Sequence, residues 1–554
     1  MKKTIPFLLL LISFCAFAQT SKLDNLKKVN ELFKKWNNSS SPGAAIGIIE
    51  NGKLVYSKGY GLANLEHNIP NTPKTAFNIA SNSKQFTAAC IVLLSQRGKL
   101  DLNQTLSSFY PEFPEYAKAI TIKNLLYHTS GLRDFSQITY LSGLRPDDYY
   151  NDEDILKWIG SQKELNFTPG EKHLYCNSGY WLLGQIVKKV SGMRLADFAR
   201  KEIFSPLGME HTLFLNNNTM LIKRRASGYS PSRSGNFRNI VSTLEHTGNG
   251  GVYTTIEDIK KWDDEFYNRT ILNDTFWELM TTKGTLNNGE KIPYSGALFI
   301  KKYKGLKTID HGGRAPGFKS NILRFPEQKF SVIVFTNVSN ANAIPLSYQI
   351  ADIFLKDAFK KPKKKVKSKG NLTSIKLSTK TLKKYVGSYW NSTDKYSRKI
   401  LLKNDTLRYA RSPRNINSLL PIKKNEFKML NTPPGLEIIV RFQKENSMIF
   451  IENGVAVAAF KTYVPATYNL KDLESFLGKY YSEEIDTNYE LKIKRDRVFL
   501  FINGKETVPL RPVMEDLFSS PLGIFKFKRN NKNQIKAFYV STPRVQKLIF
   551  EKMK

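Results

Sequence analysis

The stretch Asn78-Ile79-Ala80-Ser81-Asn82-Ser83-Lys84-Gln85-Phe86-Thr87-Ala88 decides how the chain is read. Polar residues from Asn78 to Ser83 give way to the apolar run Phe86, Ala88, Ala89, Cys90, Ile91, Leu93 and Leu94. The run closes at Arg97-Gly98, a basic last turn followed by a helix stop. This pattern predicts a buried helix with Ser81 in its first turn, where unpaired backbone N–H groups and the positive dipole end favour a developing oxyanion. Lys84, three residues on, shares the face of Ser81. A serine hydroxyl is a poor nucleophile until a base or a cation stands beside it. A lysine held in an apolar helix is desolvated, which favours its neutral form and lets it take or relay a proton. Taken alone, Ser-x-x-Lys fits a helix cap and a surface lysine equally well. A second copy, Ser392-Thr393-Asp394-Lys395, has no helical apolar run behind it.

The 554 residues exceed one ordinary domain, and about three are expected. With 41% hydrophobic residues, 26 Tyr and 35 Phe, the chain can fill several cores and is globular. Met1-Lys2-Lys3, an apolar run from Ile5 to Phe14 and Ala16-Phe17-Ala18 read as a secretory signal peptide over residues 1–18. Export to the periplasm or beyond is expected. Cys15 raises the alternative of lipid anchoring, but bulky Phe14 before it does not suit a lipobox. No later stretch is apolar for long enough to span a bilayer.

Only Cys90 and Cys176 remain after cleavage, too few for a disulfide framework, and free buried thiols are expected. The chain has no His-Glu-x-x-His and no paired Cys-x-x-Cys, so neither a metal nor another cofactor is expected. The formal charge of +37 comes from thinly spread lysines without an RNA-binding motif or arginine clusters. It suits anionic envelope polymers or lipid headgroups better than nucleic acid, and a surface that is simply lysine-rich accounts for it as well.

In chain order, residues 20–40 read as a leading helix with Leu23, Leu26, Val29, Leu32 and Phe33 on one stripe. Gly43 to Ile49, the turn Asn51-Gly52 and Leu54 to Tyr60 read as a hairpin. A mostly helical, loop-rich stretch follows over about 100–270. Strands are expected over Tyr294 to Lys301, Leu306 to Asp310, Ser320 to Phe325 and Phe330 to Thr336, then a helix from Pro345 to Phe359. Strands at both ends with helices between predict one antiparallel sheet built from both termini, with a helical subdomain against it.

Lys360 to Lys369 carries seven lysines in ten residues and reads as a solvated linker, 360–372. Beyond it come short alternating strands and a weak repeat at an offset of 91 residues. Leu382, Tyr385, Gly387 and Tyr389 match Leu473, Phe476, Gly478 and Tyr480. Two small β-domains are expected, 373–466 and 467–554, after a first domain spanning 19–359.

All six histidines lie before residue 312, and three stand in motif-like settings. These are Tyr127-His128-Thr129-Ser130-Gly131-Leu132, the segment after His173 that contains Tyr175-Cys176-Asn177, and His311-Gly312-Gly313-Arg314. Ser81-x-x-Lys84, Tyr175-x-Asn177 and His311-Gly312-Gly313, in that order, resemble the serine β-lactamase and penicillin-binding-protein superfamily in its class C-like branch. That branch includes β-lactamases, esterases and D-aminopeptidases. His128-Thr129-Ser130-Gly131-Leu132, Thr168-Pro169-Gly170 and Phe204-Ser205-Pro206-Leu207-Gly208-Met209 agree with it, and the resemblance covers about residues 25–355.

The resemblance implies an α+β (α/β three-layer) first domain and two lipocalin-like barrels after it. It implies Ser81 as nucleophile, Lys84 and Tyr175 as the base pair, and Asn177 as a ligand to substrate and to Lys84. Gly312 and Gly313 would let an edge strand approach the substrate, and the N–H groups of Ser81 and Arg314 would form the oxyanion hole. His311 stands where β-lactamases carry a lysine, which points away from efficient β-lactam hydrolysis and toward esterases and D-aminopeptidases. His128 reads as structural and Cys176 as a small filler.

The expected protein is a serine hydrolase acting on a small ester, a D-amino acid peptide or a β-lactam-like substrate. The rival is a catalytically idle penicillin-binding-like scaffold docked to envelope polymers. Specificity is expected in the loops from Pro114 to Asp152 and from Met209 to Gly248, where no code is readable.

Overall fold

The computed structural model describes residues 23–145, 148–360, 374–432, 436–444 and 446–554. The expected signal peptide, Cys15 and all of the expected linker except residue 360 lie outside them. The chain divides into two compact units, Met1–Tyr140 with Leu144–Lys361, and Leu141–Gly143 with Pro362–Lys554.

The first unit is built on a six-stranded sheet whose strands are all antiparallel neighbours. Its order is Phe299–Tyr303, Leu306–Ala315, Phe318–Phe325, Phe330–Thr336, Ala44–Glu50 and Lys53–Tyr60. The N-terminal hairpin therefore zips onto the last strand, with Ala44 opposite Thr336 and Glu50 opposite Phe330. Its turn needs two left-handed residues, which Asn51 (φ 51°) and Gly52 (φ 73°) supply.

Both faces of this sheet are buried, which explains the nearly continuous apolar runs. On one face Ala44, Ile46 and Ile48 pack with Val332 and Val334 under Val29 and Phe33 of a helix over residues 23–33. Leu346 and Ile350 of helix Ala343–Phe354 cover the same face. The opposite face meets helix Ile256–Asn268 so closely that a Cβ on Gly47 would lie 2.6 Å from Ile256 Cγ2. Helix, sheet and helix form the three layers, and a helical subdomain surrounds helix Lys84–Gln96.

Several boundaries differ from the sequence reading. The leading helix is shorter than 20–40, passing into a 3-10 turn at Lys34–Trp36. The closing helix is Ala343–Phe354 rather than Pro345 to Phe359. Tyr294 is outside the first of the four strands, which begins at Phe299. The strand expected to stop at Asp310 continues to Ala315, carrying His311-Gly312-Gly313-Arg314 with it. Glycines are poor strand formers by themselves, but pairing of Gly312 with Asn321 and Gly313 with Ser320 holds them extended.

In the second unit, eight strands from Gly387–Asn391 to Val455–Tyr463 close into a barrel. A further nine strands form a sheet from Lys505–Pro509 at one edge to Arg511–Met514 at the other. The repeat seen in sequence has a structural basis. In each copy a five-residue helix precedes the first strand, Thr379–Lys383 before Gly387–Asn391 and Leu470–Glu474 before Gly478–Ser482. In each, the strand tyrosine donates back to the chain just before it. Tyr389 bonds the Tyr385 carbonyl at 2.9 Å and Tyr480 the Phe476 carbonyl at 2.8 Å. The first barrel is filled by its own side chains, among them Tyr389, Tyr409, Phe427, Phe442 and Phe450.

Candidate active site

The turn Ala80–Ser83 is a 3-10 helix, and the α-helix proper begins at Lys84. Ser81 thus stands one turn ahead of the position expected. Ala80 adopts a left-handed φ of 51°, which costs about 1 kcal/mol for a residue with a Cβ. Its N–H is held by the Asn78 side chain at 2.8 Å. Behind the turn the helix is anchored on several sides. Gln85 accepts from the Trp262 indole at 2.6 Å, and Thr87 donates to the Gly248 carbonyl at 2.8 Å. Ser83 accepts from the Val252 N–H at 3.0 Å.

Lys84 is fully buried, and its ammonium is the hub of the site. Nζ lies 3.2 Å from Ser81 Oγ, 2.8 Å from Asn177 Oδ1 and 2.5 Å from the Asn249 carbonyl. It also sits 5.0 Å from the centre of the Tyr175 ring. Asn177 opens helix Asn177–Ser191, and that helix packs against Lys84–Gln96. Its side chain is oriented from behind by Asp134, fully buried, which accepts from the Asn177 backbone N–H at 3.0 Å and from Nδ2 at 3.1 Å. Ser136 accepts from the same Nδ2 at 3.0 Å.

The His311-Gly312-Gly313-Arg314 strand runs directly past the Ser81 turn. Ser320, paired with Gly313, donates to the Ile79 carbonyl at 2.6 Å and accepts from Asn82 at 2.7 Å. Gly313 is needed for this approach: a Cβ there would lie 2.2 Å from the Ile79 carbonyl oxygen and 2.3 Å from Ser320 Oγ. His311 is buried, and burial, reinforced by the Lys84 charge, pushes its pKa down to about 3. It is a neutral imidazole. His128 also holds backbone, its Nδ1 accepting from the Cys176 N–H at 3.1 Å. Cys176 and Cys90 are buried free thiols. Burial pushes the Cys176 thiol up to about 12, which leaves it protonated and inert.

A cleft of about 590 Å³ opens over the site, with Ser81, Asn177, Tyr150, Arg225, Arg314 and Phe318 among its walls. Neither Arg225 nor Arg314 makes an ion pair among the described residues. Ser81, Lys84, Tyr175, Asn177 and the His311–Arg314 strand therefore gather at one place. The sequence reading missed Asp134, Asn249, His246 and Tyr294. Asp134 and His246 lie in the two loops that seemed to carry no code. His246 lines the cleft, stacks on Tyr150 at 5.3 Å, and is pushed down to about 4 by burial and then by Lys84. Asn249 lies in the glycine-rich run Gly248-Asn249-Gly250-Gly251, just past the second of these loops.

The chain is similar to a D-aminopeptidase from Gluconobacter oxydans, 28% identical over 301 residues, which make up 54% of this chain and 56% of that one. A D-aminopeptidase from Brucella canis is 28% identical over 302 residues, 54% of this chain and 57% of that one. The chain spans a little over half the length of these curated relatives. Among solved structures, the octameric penicillin-binding protein homologue from Pyrococcus abyssi matches 80% of this chain and 99% of its own. The TM-score is 0.54 at 24% identity, a likeness of fold. Among the described residues no helix is long and apolar enough to cross a membrane. A Beta-lactamase family model matches residues 29–353, more than half of the chain, and the chain belongs to that family.

Proposed function

We propose that this chain is an exported serine hydrolase that cleaves an ester or an amide through an acyl-enzyme on Ser81. The carrying observation is the hydrogen-bond geometry at Lys84 Nζ. Two of the oxygens around it, the Asn177 side-chain oxygen and the Asn249 carbonyl, can only accept. Another, Ser81 Oγ, can accept or donate. An ammonium satisfies this set by donating three times. A neutral amine satisfies it by donating twice and receiving the Ser81 hydroxyl proton on its lone pair. The proton can thus leave Ser81 without rearrangement of the lysine, which activates the nucleophile.

Tyr175, its ring beside the same ammonium, carries the proton onward to the leaving group. Asn177 holds the lysine and receives the substrate amide. The Ser81 and Arg314 N–H groups take the oxyanion, with Gly313 letting the strand come close. His311, neutral in place of a fixed cation, supports esterase or D-amino acid peptidase activity over efficient β-lactam hydrolysis. The D-aminopeptidase relatives support the peptide reading. Arg225 and Arg314 on the cleft wall support a substrate with an anionic end.

The test is intact mass after a fluorophosphonate probe, beside p-nitrophenyl esters and D-Ala p-nitroanilide, on wild type and Ser81→Ala. Labelling and turnover that vanish in Ser81→Ala are expected, and the ratio of ester to D-amide turnover assigns the bond type. Equal labelling of the two proteins sinks the proposal.

A further inference from the structure

The three motif-like settings are joined by a buried hydrogen-bond chain that none of them announced. It starts at the Cys176 N–H, between Tyr175 and Asn177, which donates to His128 Nδ1 at 3.1 Å. His128 Nε2 lies 3.1 Å from the Tyr294 hydroxyl. That hydroxyl lies 3.2 Å from His311 Nε2, and His311 Nδ1 lies 2.7 Å from the Gly312 carbonyl. All three rings are buried.

The two ends of the chain fix the direction of every bond in it. A backbone N–H can only donate, so His128 Nδ1 accepts and the ring hydrogen is on Nε2. A backbone carbonyl can only accept, so His311 Nδ1 carries its hydrogen, and Nε2 of that neutral ring is an acceptor. Tyr294 must then accept from His128 and donate to His311. Burial holds the Tyr294 phenol well above its ordinary pKa, so the hydroxyl keeps the hydrogen it donates. The Tyr180 hydroxyl sends its own hydrogen to the Leu126 carbonyl at 2.8 Å and also bonds the Tyr294 hydroxyl, so its oxygen is a second acceptor beside His311 Nε2.

We propose that Tyr294 is a positioning residue which, together with His128, locks His311 in the Nδ1–H tautomer. In that state the ring clamps the Gly312 carbonyl and sets the Gly312–Gly313–Arg314 strand against the Ser81 turn. His311 Nε2 is already occupied by Tyr294, so His311 acts on the strand rather than on substrate. The same chain fixes the spacing between the Tyr175–Asn177 segment and the strand, the two sides between which the acyl group must sit. The catalytic consequence rests on the Ser81 hydrolase reading; the tautomer assignment does not.

The test uses the full chain labelled with ¹⁵N-histidine, comparing wild type with Tyr294→Phe, which keeps the ring and deletes only the hydroxyl. Long-range proton–nitrogen spectra report each tautomer, with assignments from His128→Gln and His311→Gln. Wild type is expected to show His311 as Nδ1–H and His128 as Nε2–H. In Tyr294→Phe, His311 is expected to lose its single tautomer, and kcat to fall about tenfold with KM within about twofold, the loss typical of an outer-sphere support. The proposal is overturned if wild-type His311 is the Nε2–H tautomer or an imidazolium at pH 7. It is also overturned if Tyr294→Phe leaves the tautomer or kcat unchanged. If wild type turns over no substrate and Ser81 takes no label, the hydrolase reading falls, and the wild-type spectra alone uphold or overturn the tautomer lock.

Discussion

Replacing Gly313 by alanine tests how closely the Leu306–Ala315 strand must approach the Ser81 turn. The added Cβ would lie 2.2 Å from the Ile79 carbonyl oxygen, 2.3 Å from Ser320 Oγ and 3.1 Å from the Ala80 Cβ. Ordinary carbon contacts are about 3.5 Å, so the strand must withdraw by about 1 Å. The Ile79 carbonyl cannot yield, because it already accepts the Ser320 hydroxyl at 2.6 Å and the Asn82 N–H at 3.1 Å. A displacement of about 1 Å at a reacting centre costs on the order of 100-fold in rate. Loss of one oxyanion donor costs about 100- to 1,000-fold in kcat.

Gly312→Ala is the control. There the added Cβ meets Ile344 Cδ1 at 2.4 Å and Cγ1 at 2.9 Å, the flexible end of one side chain that can rotate away. The expected result is a kcat loss of about 100-fold or more for Gly313→Ala and under about fivefold for Gly312→Ala. The strain of the first should lower stability by about 1–3 kcal/mol. The assay is kcat and KM on the best p-nitrophenyl ester, with urea denaturation alongside. Equal activity in the two variants would refute the argument that the strand's close approach to Ile79 is what the site requires.

Two further outcomes follow from the same geometry. Asp134→Asn keeps the shape but turns an amide toward the Asn177 amide and removes the charge from hydrogen bonds at 3.0 and 3.1 Å. It should lower kcat at least about tenfold and stability by about 2 kcal/mol, read by ester turnover and urea denaturation; lost stability with unchanged kcat would show that Asp134 does not orient Asn177 toward Lys84. His311 gives a pH dependence with a definite sign. Its folded pKa of about 3 lies below the ordinary 6.5, so below pH 6.5 the unfolded chain binds a proton that the folded chain refuses. That contribution is complete above pH 6.5 and is lost as pH falls toward 3, at about 1.4 kcal/mol per pH unit. Between pH 7 and pH 5 the stability of His311→Gln should therefore fall by about 2 kcal/mol less than that of wild type, measured by urea denaturation. Parallel pH profiles for the two proteins would show that His311 is not held neutral by burial.

The legible parts of the sequence were those governed by nearest neighbours along the chain. The 3.6-residue apolar rhythm behind Ser81, the Asn51-Gly52 turn and the alternation in the C-terminal strands are local, so their physics is written locally. The repeat was legible because Tyr389 and Tyr480 each bond the chain four residues back. The candidate nucleophile, its lysine, Tyr175-x-Asn177 and the His311 strand could be named because their collinear order matches a known family.

Tertiary structure decided what those residues touch. Asp134 sits in a loop with no periodicity and matters because the fold carries Asn177, 43 residues later, onto it. Tyr294 belongs to no motif, yet it bonds one histidine 166 residues before it and another 17 residues after it. The Gly-Gly run looked like the end of a strand, and only pairing with Phe318–Phe325 made it the middle of one. Sequence determined which elements form, since rotamer, turn and burial preferences act over a few residues. The three-dimensional packing determined the protonation of His311, the tautomers on either side of Tyr294 and the 2.2 Å clash that keeps Gly313 a glycine, because hydrogen-bond direction, desolvation and excluded volume depend on neighbours in space.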